Sequence, residues 1–268
     1  MRNSNQKYLY DVVMPIGPND SDIALMSIKY IFKYFSFGKL FIISNESTFK
    51  KLSGNNERII FLNEDDLIPG ITLSEIKDIC KKLFDDADRG GWYFQQFLKM
   101  GISQHPSIRE YYLVWDADTI PLKSIDFFDN AGKMLLSFEE KIHQPYFNTL
   151  KRILNIDRQV NFSFITEHMM IKTSVMNEVV SKIEDAPIEG NNWTEKILRA
   201  VNKNQYQSGF SEFETYGNYL AKNYPDIFSL RKIKHKRSGS KITNHPNWAL
   251  LKLLSFYRET VSFEKGHH

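Results

Sequence analysis

The chain has 268 residues and a mass of 31.5 kDa, and its composition is 42% hydrophobic, 25% charged and 14% aromatic. These values are typical of a folded globular protein and exclude both a disordered chain and a small disulfide-stabilised domain. Thirty-five Lys and Arg against 32 Asp and Glu give a net charge of +3, which does not favour a dedicated nucleic-acid-binding protein.

The N-terminal half alternates between predicted strands and predicted helices. Residues 1–7 contain no apolar stretch that could form a signal peptide or a membrane-spanning helix, so we expect a cytoplasmic protein. Short apolar runs predict strands at residues 8–15, 39–44, 58–62 and 111–115. Amphipathic patterns predict helices beginning near Ser21 or Asp22 and over residues 74–84. This alternation predicts an α/β fold with a mainly parallel sheet flanked by helices.

Cys80 is the one cysteine of the chain. It excludes an intramolecular disulfide and a cysteine-rich zinc site, and nothing in the sequence requires an oxidising compartment. Because Cys80 lies within the amphipathic run at residues 74–84, we expect a buried, unreactive thiol rather than a catalytic nucleophile.

The alternation weakens after residue 120. Apolar runs predict strands at residues 134–139 and 162–166 and helices at 172–183, 212–222 and 246–257. We expect a catalytic domain over residues 1–228 and a basic segment over 229–265 that packs on the domain or on a membrane surface. Residues 266–268 resemble the remnant of an affinity tag, and we exclude their histidines from metal arguments.

Asp116 and Asp118 directly follow the strand predicted at residues 111–115. Ligands of open α/β sheets bind beyond the carboxyl ends of the strands, where two carboxylates one residue apart can share a divalent cation. Such a cation would neutralise a diphosphate. The alternative is structural, with Asp116 capping the strand end and Asp118 forming an Asx turn.

The run Tyr-Tyr-Leu-Val-Trp-Asp116-Ala-Asp118-Thr-Ile-Pro121 resembles the metal-binding motif of the GT-A glycosyltransferases, which use nucleotide sugars. Two further blocks, at residues 89–99 and 210–217, resemble an uncharacterised group of bacterial glycosyltransferase-like proteins. The resemblance implies a GT-A-like fold and a hexosyltransferase-type enzyme. It also implies Mn²⁺ or Mg²⁺ as cofactor, held by Asp118 and assisted by Asp116.

The resemblance also implies a set of donor-binding residues. In the wider family the first strand and its loop hold the nucleotide base, which points to Pro15, Ile16 and Asp20. A basic residue on the helix before the metal-binding strand approaches the sugar or the phosphates, and by position that residue is Lys99; Asp116 belongs to this set as well. The alternative for Lys99 is an ordinary solvent-facing lysine on an amphipathic helix.

Glu212 and Glu214 begin the helix predicted at residues 212–222. An inverting glycosyltransferase needs a carboxylate to take the proton from the attacking hydroxyl, and in the resembled fold that base often lies at this position. Ser211 and Glu214 also have the spacing of a capping box, which favours Glu212 as the base. A mechanism that uses neither carboxylate stays open.

Three histidines are candidates for further roles. In many GT-A enzymes a downstream histidine completes the metal shell, which points to His235 or His245. His168 follows a predicted strand and is a candidate for contact with the acceptor. For each of them, the alternative is an ordinary surface or hydrogen-bonded interior histidine.

Residues 229–258 contain eight Lys and Arg and no Asp or Glu. This segment could contact the donor diphosphate, bind an anionic membrane that carries a lipid-linked acceptor, or form a charged surface. Within it, the helix predicted at residues 246–257 is apolar enough to pack on the core or to enter a bilayer interface, and we expect core packing.

The sequence therefore predicts transfer of a sugar from a nucleoside diphosphate sugar to a glycan or lipid-linked acceptor, in bacterial surface polysaccharide synthesis. We expect a cytoplasmic enzyme, peripheral to the inner face of the plasma membrane, with no nucleic-acid partner. One alternative is a haloacid-dehalogenase-type phosphatase with Asp116 as nucleophile and Asp118 as general acid. A second alternative is a non-catalytic module that binds sugar nucleotides.

Overall fold

The computed structural model describes residues 9–52, 56–243 and 246–264. Residue 8, His245 and residues 266–268, on which the sequence analysis also bears, lie outside these ranges. The strands are β1 (Asp11–Pro15), β2 (Leu40–Ser44), β3 (Ile59–Asn63), β4 (Tyr111–Trp115), β5 (Thr119–Pro121), β6 (Met134–Ser137), β7 (His168–Lys172), β8 (Phe228–Arg231), β9 (His235–Lys236) and β10 (Thr260–Ser262). The helices are α1 (Ser21–Tyr34), α2 (Glu46–Leu52), α3 (Leu73–Phe84), α4 (Gly90–Gly101), α5 (Gln144–Leu154), α6 (Thr173–Glu184), α7 (Trp193–Ala200), α8 (Glu212–Asn223) and α9 (Trp248–Ser255).

The central sheet has five strands in the order β3-β2-β1-β4-β7. Strands β3, β2, β1 and β4 are parallel, whereas β7 runs antiparallel to β4. The parallel strands are apolar because helices pack against the sheet, and β1, β2 and β4 are almost completely buried. The predicted mainly parallel α/β sheet is thus confirmed, and the carboxyl ends of β1 and β4 lie side by side.

The strand predicted at residues 162–166 is wrong. That segment forms a single bridge between Ser163 and Glu139, and the strand that joins the sheet is β7, which pairs with β4 along its whole length. The apolar pattern there has another cause, since Phe164 is fully buried against α8. A Cβ atom at Gly217 of α8 would lie 2.3 Å from the Phe164 ring, so the helix approaches as closely as it does because residue 217 is glycine.

The C-terminal segment is attached to the domain by backbone pairing. Strand β8 pairs with β6, and β10 pairs antiparallel with β5 and parallel with β9. A second, smaller apolar cluster forms where this segment meets α1. Its members are Ile23, Ile120, Leu122, Leu251, Val261 and Phe263. Because β5 follows the Asp116–Asp118 turn, β10 brings the end of the described chain to that turn.

The Cys80 thiol lies inside the protein core. Cys80 is fully buried and burial raises the pKa of its thiol to about 11, so the expected unreactive thiol agrees with its environment. Among the described residues, no helix combines the length and the apolar character needed to cross a membrane.

Candidate active site

A cleft opens beside the carboxyl end of β4, with an empty volume of about 540 Å³. Helix α4 forms one wall, the start of α8 forms another, and residues near the end of β4 and before β7 close the bottom. The lining residues are Trp92, Gln95, Gln96, Lys99, Asp116, Tyr146, Ile165, Thr166, Ser211, Glu212 and Phe213. Lys99 and Asp116, both expected to bind the donor, thus line one cleft together with Glu212, the expected base.

The turn after β4 is fixed from two sides. The Asp116 N–H donates to the carbonyl oxygen of Glu167 at 3.0 Å, and the Asp118 carbonyl accepts from the N–H of Phe263 at 3.0 Å. The Thr119 hydroxyl is 3.3 Å from the Asp118 carboxylate and 2.5 Å from the Ser262 hydroxyl. The antiparallel strand β7 and the C-terminal strand β10 therefore both hold the Asp-x-Asp turn in place.

Lys99 lies inside the cleft, so the alternative of a solvent-facing lysine is wrong. Its ammonium group is 2.8 Å from the Asp116 carboxylate and 3.0 Å from the Glu212 carboxylate, and its side chain is only 12% exposed. Burial alone would lower the pKa of Lys99, but the two carboxylates outweigh burial and raise it. Lys99 is therefore a permanent cation shared by Asp116 and Glu212.

Asp118 has no positive partner of this kind among the described residues. Burial raises the pKa of its carboxyl to about 8, and the neighbouring charges of Asp116, Glu264 and Asp20 act in the same direction. Burial also raises the pKa of Asp116, although Lys99 opposes this effect. A half-buried carboxylate with other acids nearby suits a hard divalent cation, which prefers oxygen ligands.

A complete protein shell for a metal ion is not preformed. Within residues 9–52, 56–243 and 246–264, no three His, Cys, Asp or Glu side chains are grouped so as to hold a metal. The Asp-x-Asp turn supplies two carboxylates, which is compatible with a cation that takes its other oxygen ligands from water and a diphosphate.

Glu212 and Glu214 occupy different environments, although both begin α8. The Glu212 N–H donates to the Gln96 side-chain oxygen at 3.1 Å, and its carboxylate contacts Lys99 in the cleft. The Glu214 carboxylate instead accepts from the Ser163 hydroxyl at 2.5 Å and from the Asn218 amide at 3.1 Å. The geometry therefore favours Glu212 over Glu214 as the group that faces a substrate.

Only half of the capping box forms at the start of α8. The Ser211 hydroxyl accepts from the Glu214 N–H at 3.2 Å, as a helix N-cap does. The Glu214 carboxylate does not return to the Ser211 backbone, because the buried Ser163 hydroxyl and the Asn218 amide bind it. Spacing alone could not reveal these two partners.

His168 and His235 lie beside a smaller cavity, not in the main cleft. The His168 ring stacks on Trp115 at 5.0 Å, and burial lowers its pKa to about 3, so the ring is neutral. His235 shares a hydrogen bond with Thr260 through Nδ1 and lies 3.1 Å from the Glu167 carboxylate through Nε2. Acceptor contact by His168 and metal ligation by His235 stay predictions, and the same holds for His245, which is outside the described residues.

The loop after β1 lies against Gln95 of helix α4, which lines the cleft. Pro15 and Ile16 are buried, and the Ile16 N–H donates to the Ile43 carbonyl at 2.9 Å. A Cβ atom at Gly17 would lie 3.3 Å from the Gln95 amide and 3.5 Å from the Asp20 carboxylate. The loop thus lies against a residue that lines the cleft, and binding of a nucleotide by Pro15, Ile16 and Asp20 stays a prediction.

Four residues of this region were missed by the sequence analysis. Gln96 is 4% exposed, and its amide nitrogen has no hydrogen-bond partner among the described residues although Gln96 lines the cleft. Tyr146 lines the cleft as well, while Glu167 and Glu264 flank the Asp-x-Asp turn. Gln96 lies in the block at residues 89–99 that carries the resemblance, whereas no sequence pattern marks the other three.

A family model described as "Family of unknown function (DUF6492)" matches residues 19–253. No curated protein is significantly similar to the chain. Among solved structures, the apo form of mouse xyloside xylosyltransferase 1 has 11% sequence identity and a TM-score of 0.50, with 95% of this chain and 97% of that chain covered. The galactosyltransferase LgtC in complex with donor and acceptor sugar analogs has 11% identity and a TM-score of 0.46, covering 96% and 87%.

The likeness to the xylosyltransferase extends over nearly the whole of both chains, so it describes the complete fold and not a shared fragment. The predicted GT-A-like fold is therefore confirmed.

Proposed function

This chain belongs to the family of unknown function DUF6492 and has a GT-A fold, and we propose its activity from the residues that line the cleft. The proposed activity is that of a metal-dependent glycosyltransferase, of hexosyltransferase type, which uses a nucleoside diphosphate sugar. The observation that carries the proposal is the Lys99 ammonium group, held between the carboxylates of Asp116 and Glu212 in the cleft.

Asp118, assisted by Asp116, is the proposed ligand of Mn²⁺ or Mg²⁺. Its support is the chemistry of the site, since Asp118 is a half-buried carboxylate that has acidic neighbours and forms no ion pair with a described residue. When bound, the cation stabilises the negative charge that develops on a diphosphate leaving group. His235 is the proposed third protein ligand, and it would have to exchange its contact with Glu167 for the metal.

Lys99 and Glu212 have distinct proposed roles. Lys99 forms an ion pair with the Glu212 carboxylate and, through its second contact with Asp116, fixes the base relative to the donor side of the cleft. The Glu212 carboxylate takes the proton of the acceptor hydroxyl. The hydroxyl oxygen bonds to the anomeric carbon while the bond from that carbon to the diphosphate breaks, and the diphosphate leaves with the electron pair.

The acceptor is proposed to be a glycan or a lipid-linked sugar. Trp92, Tyr146 and Phe213 line the cleft, and such a mixture of aromatic surface and a few polar groups is typical of small-molecule sites. The proposed setting is bacterial surface polysaccharide synthesis at the cytoplasmic face of the membrane, with peripheral contact through residues 229–258. The support for this setting is the sequence resemblance and the charge of that segment.

A thermal-shift screen of nucleotide sugars, with and without Mn²⁺, tests the class and the donor together. We expect one donor to raise the melting temperature only when Mn²⁺ is present, and this shift to disappear in Asp118→Asn. If every nucleotide leaves the melting temperature unchanged with and without Mn²⁺, the proposal is refuted.

Glu212→Gln and Glu214→Gln form a matched pair for the base, because both substitutions remove one carboxylate from the first turn of α8. Glu212→Gln should abolish sugar transfer while the donor-dependent thermal shift remains. Glu214→Gln should retain transfer, since its carboxylate is bound to Ser163 and Asn218 outside the cleft lining. Full turnover by Glu212→Gln would remove Glu212 from the mechanism.

A further inference from the structure

Helix α9 and the turn that follows it, together residues 248–257 and named the α9 segment, turn a broad apolar face towards solvent. Trp248, Phe256 and Tyr257 are each 71% exposed, and Leu253 is 59% exposed. Large apolar side chains usually point inward, and an exposed contiguous apolar surface of several hundred Å² marks an interaction site. The outer face of α9 is defined here as Trp248, Lys252, Leu253, Phe256 and Tyr257.

Packing of the helix onto the protein does not account for this face. Leu251 is 1% exposed, and together with the partly buried Leu254 it packs into the small apolar cluster around Ile23. If the spacing of 100° per residue is continued through the turn at residues 256 and 257, Lys252, Leu253 and Phe256 project away from the side of Leu251 and Leu254, and Trp248 and Tyr257 lie at the two edges of that outer side. The expected core packing of this helix is therefore correct for its inner side only.

The chain segment that contains the outer face is basic up to Arg258, and Glu259 follows it. Residues 229–258 hold eight Lys and Arg and no acid, and the fold uses three of these cations. These three are Arg231, which donates to the Asp126 carbonyl, Lys232, which pairs with Glu140, and Arg237, which pairs with Glu167. Lys241, Lys252 and Arg258 are exposed and form no ion pair with any described residue.

We propose that the outer face of α9 binds the surface of an anionic lipid bilayer. Leu253 and Phe256 would enter the acyl boundary, and Trp248 and Tyr257 would lie at the level of the head groups, where amphipathic rings are enriched. Lys252 and Arg258 would contact the lipid phosphates. An amphipathic helix with aromatic and basic side chains has the composition that such a surface requires.

Charge decides between a bilayer and a second copy of the chain as the occupant. A two-fold contact through the outer face would bring two basic segments together, and exposed cations at an interface repel each other. An anionic bilayer neutralises the same cations. The excess of Lys and Arg over acids in residues 229–258 therefore opposes self-association and favours anionic lipid.

The position of α9 connects this surface with the cleft. Leu251 shares its apolar cluster with Ile120, which lies two residues beyond Asp118. Strand β10, directly after the α9 segment, pairs with β5 next to the Asp-x-Asp turn. A bilayer on the outer face would therefore hold the turn close to the membrane, where a lipid-linked acceptor lies. The inference assigns the membrane contact proposed above for residues 229–258 to one surface, and its link to the acceptor rests on that proposed function.

Co-sedimentation of the full chain with vesicles tests the proposal. We expect binding to vesicles of phosphatidylcholine and phosphatidylglycerol, weaker binding at high salt, and little binding to phosphatidylcholine alone. The double variant Trp248→Ser/Phe256→Ser should weaken binding by roughly tenfold or more, because it removes the inserted apolar surface. Lys252→Glu changes the local charge by two and should weaken binding by about thirtyfold.

Matched controls separate the face from general effects. Leu230→Ser replaces a large apolar side chain that is 43% exposed and lies on β8, and Lys222→Glu reverses an exposed charge on α8. Both should bind vesicles like the unchanged protein. Unfolding curves of all four variants should be similar, since each altered side chain is exposed.

Two results would overturn the proposal. The first is equal binding of the unchanged protein to neutral and anionic vesicles. The second is a concentration-dependent dimer that Trp248→Ser/Phe256→Ser abolishes, with no vesicle binding, which would assign the face to a second copy. Failure of the proposed activity is distinguishable, because Glu212→Gln should bind vesicles normally while it loses transfer.

Discussion

Removal of the Lys99 cation is the most direct test of the cleft. Lys99→Met keeps the length and most of the apolar stem of the side chain, but it leaves the carboxylates of Asp116 and Glu212 without their shared partner. The contacts at 2.8 and 3.0 Å are each worth about 5–6 kcal/mol at an effective dielectric constant of about 20. Desolvation of the three groups offsets most of this energy.

We therefore expect Lys99→Met to lower the free energy of unfolding by about 3–5 kcal/mol, the usual loss when one partner of a buried ion pair is removed. The loss should be smaller near pH 5 than near pH 8. Burial raises the pKa of Asp116, and Lys99 opposes this rise, so the pKa of Asp116 is higher in the variant than in the unchanged protein. Near pH 5 more of the Asp116 carboxyl is therefore protonated in the variant, and a neutral carboxyl costs less to bury than an unpaired carboxylate.

Urea unfolding at the two pH values measures this effect. Lys82→Met, on the exposed surface of α3, is the matched control and should change the free energy of unfolding by less than about 0.5 kcal/mol. The double variant Lys99→Met/Glu212→Gln should be more stable than Lys99→Met, because one of the two unpaired carboxylates is gone. A loss below about 1 kcal/mol for Lys99→Met, or no recovery in the double variant, would refute the shared-cation reasoning.

Three further predictions concern the surroundings of the cleft. Because the pKa of Asp118 is raised to about 8 in the folded protein, the unfolded state loses this proton at lower pH than the folded state does. In the presence of a chelator, the free energy of unfolding should therefore fall as the pH rises from about 4 to 8. Urea unfolding measures this fall, and an equal dependence of the free energy on pH in Asp118→Asn and the unchanged protein would contradict the prediction. Burial opposes ionisation of Glu167, but contacts with His235 and Arg237 lower the pKa of its carboxyl to about 2. The Glu167 carboxylate therefore stabilises the folded state above about pH 4.3, and this contribution is lost as the pH falls towards 2. Acid unfolding of Glu167→Gln should lack this pH-dependent contribution. Gly217→Ala places a Cβ 2.3 Å from the Phe164 ring and should cost about 1–3 kcal/mol in urea unfolding, and an unchanged midpoint would show that the ring moves freely.

The sequence predicted best those strands and helices that carry one clear local signal, either a continuous apolar run or a capping residue. The strand at Tyr111–Trp115 matches its prediction completely, because a continuous apolar run between polar segments leaves few alternatives. The helix at Glu212–Asn223 begins at the predicted residue, since Ser211 is a clear N-cap. The strand predicted at residues 162–166 is wrong, because the apolar residue Phe164 packs against α8 and does not belong to a strand of the sheet.

The sequence by itself determined the fold class and the candidates for the chemistry, because alternating strand and helix periods, an acidic pair after a buried strand and a basic C-terminal segment are all local patterns. Tertiary structure decided which candidates meet. Lys99 contacts Asp116 and Glu212 across 17 and 113 positions of the chain, and spacing along the sequence carries no record of such a contact.

Tertiary structure also separated residues that look equivalent in the sequence. Glu212 and Glu214 are two residues apart, but the first faces Lys99 and the second faces Ser163. The pattern of residues 248–255 is that of a core helix, yet only its inner side packs, where Leu251 joins the apolar cluster around Ile23 of α1. In both cases the outcome depends on the neighbour that folding brings to each face of a helix, and this neighbour comes from a distant part of the chain.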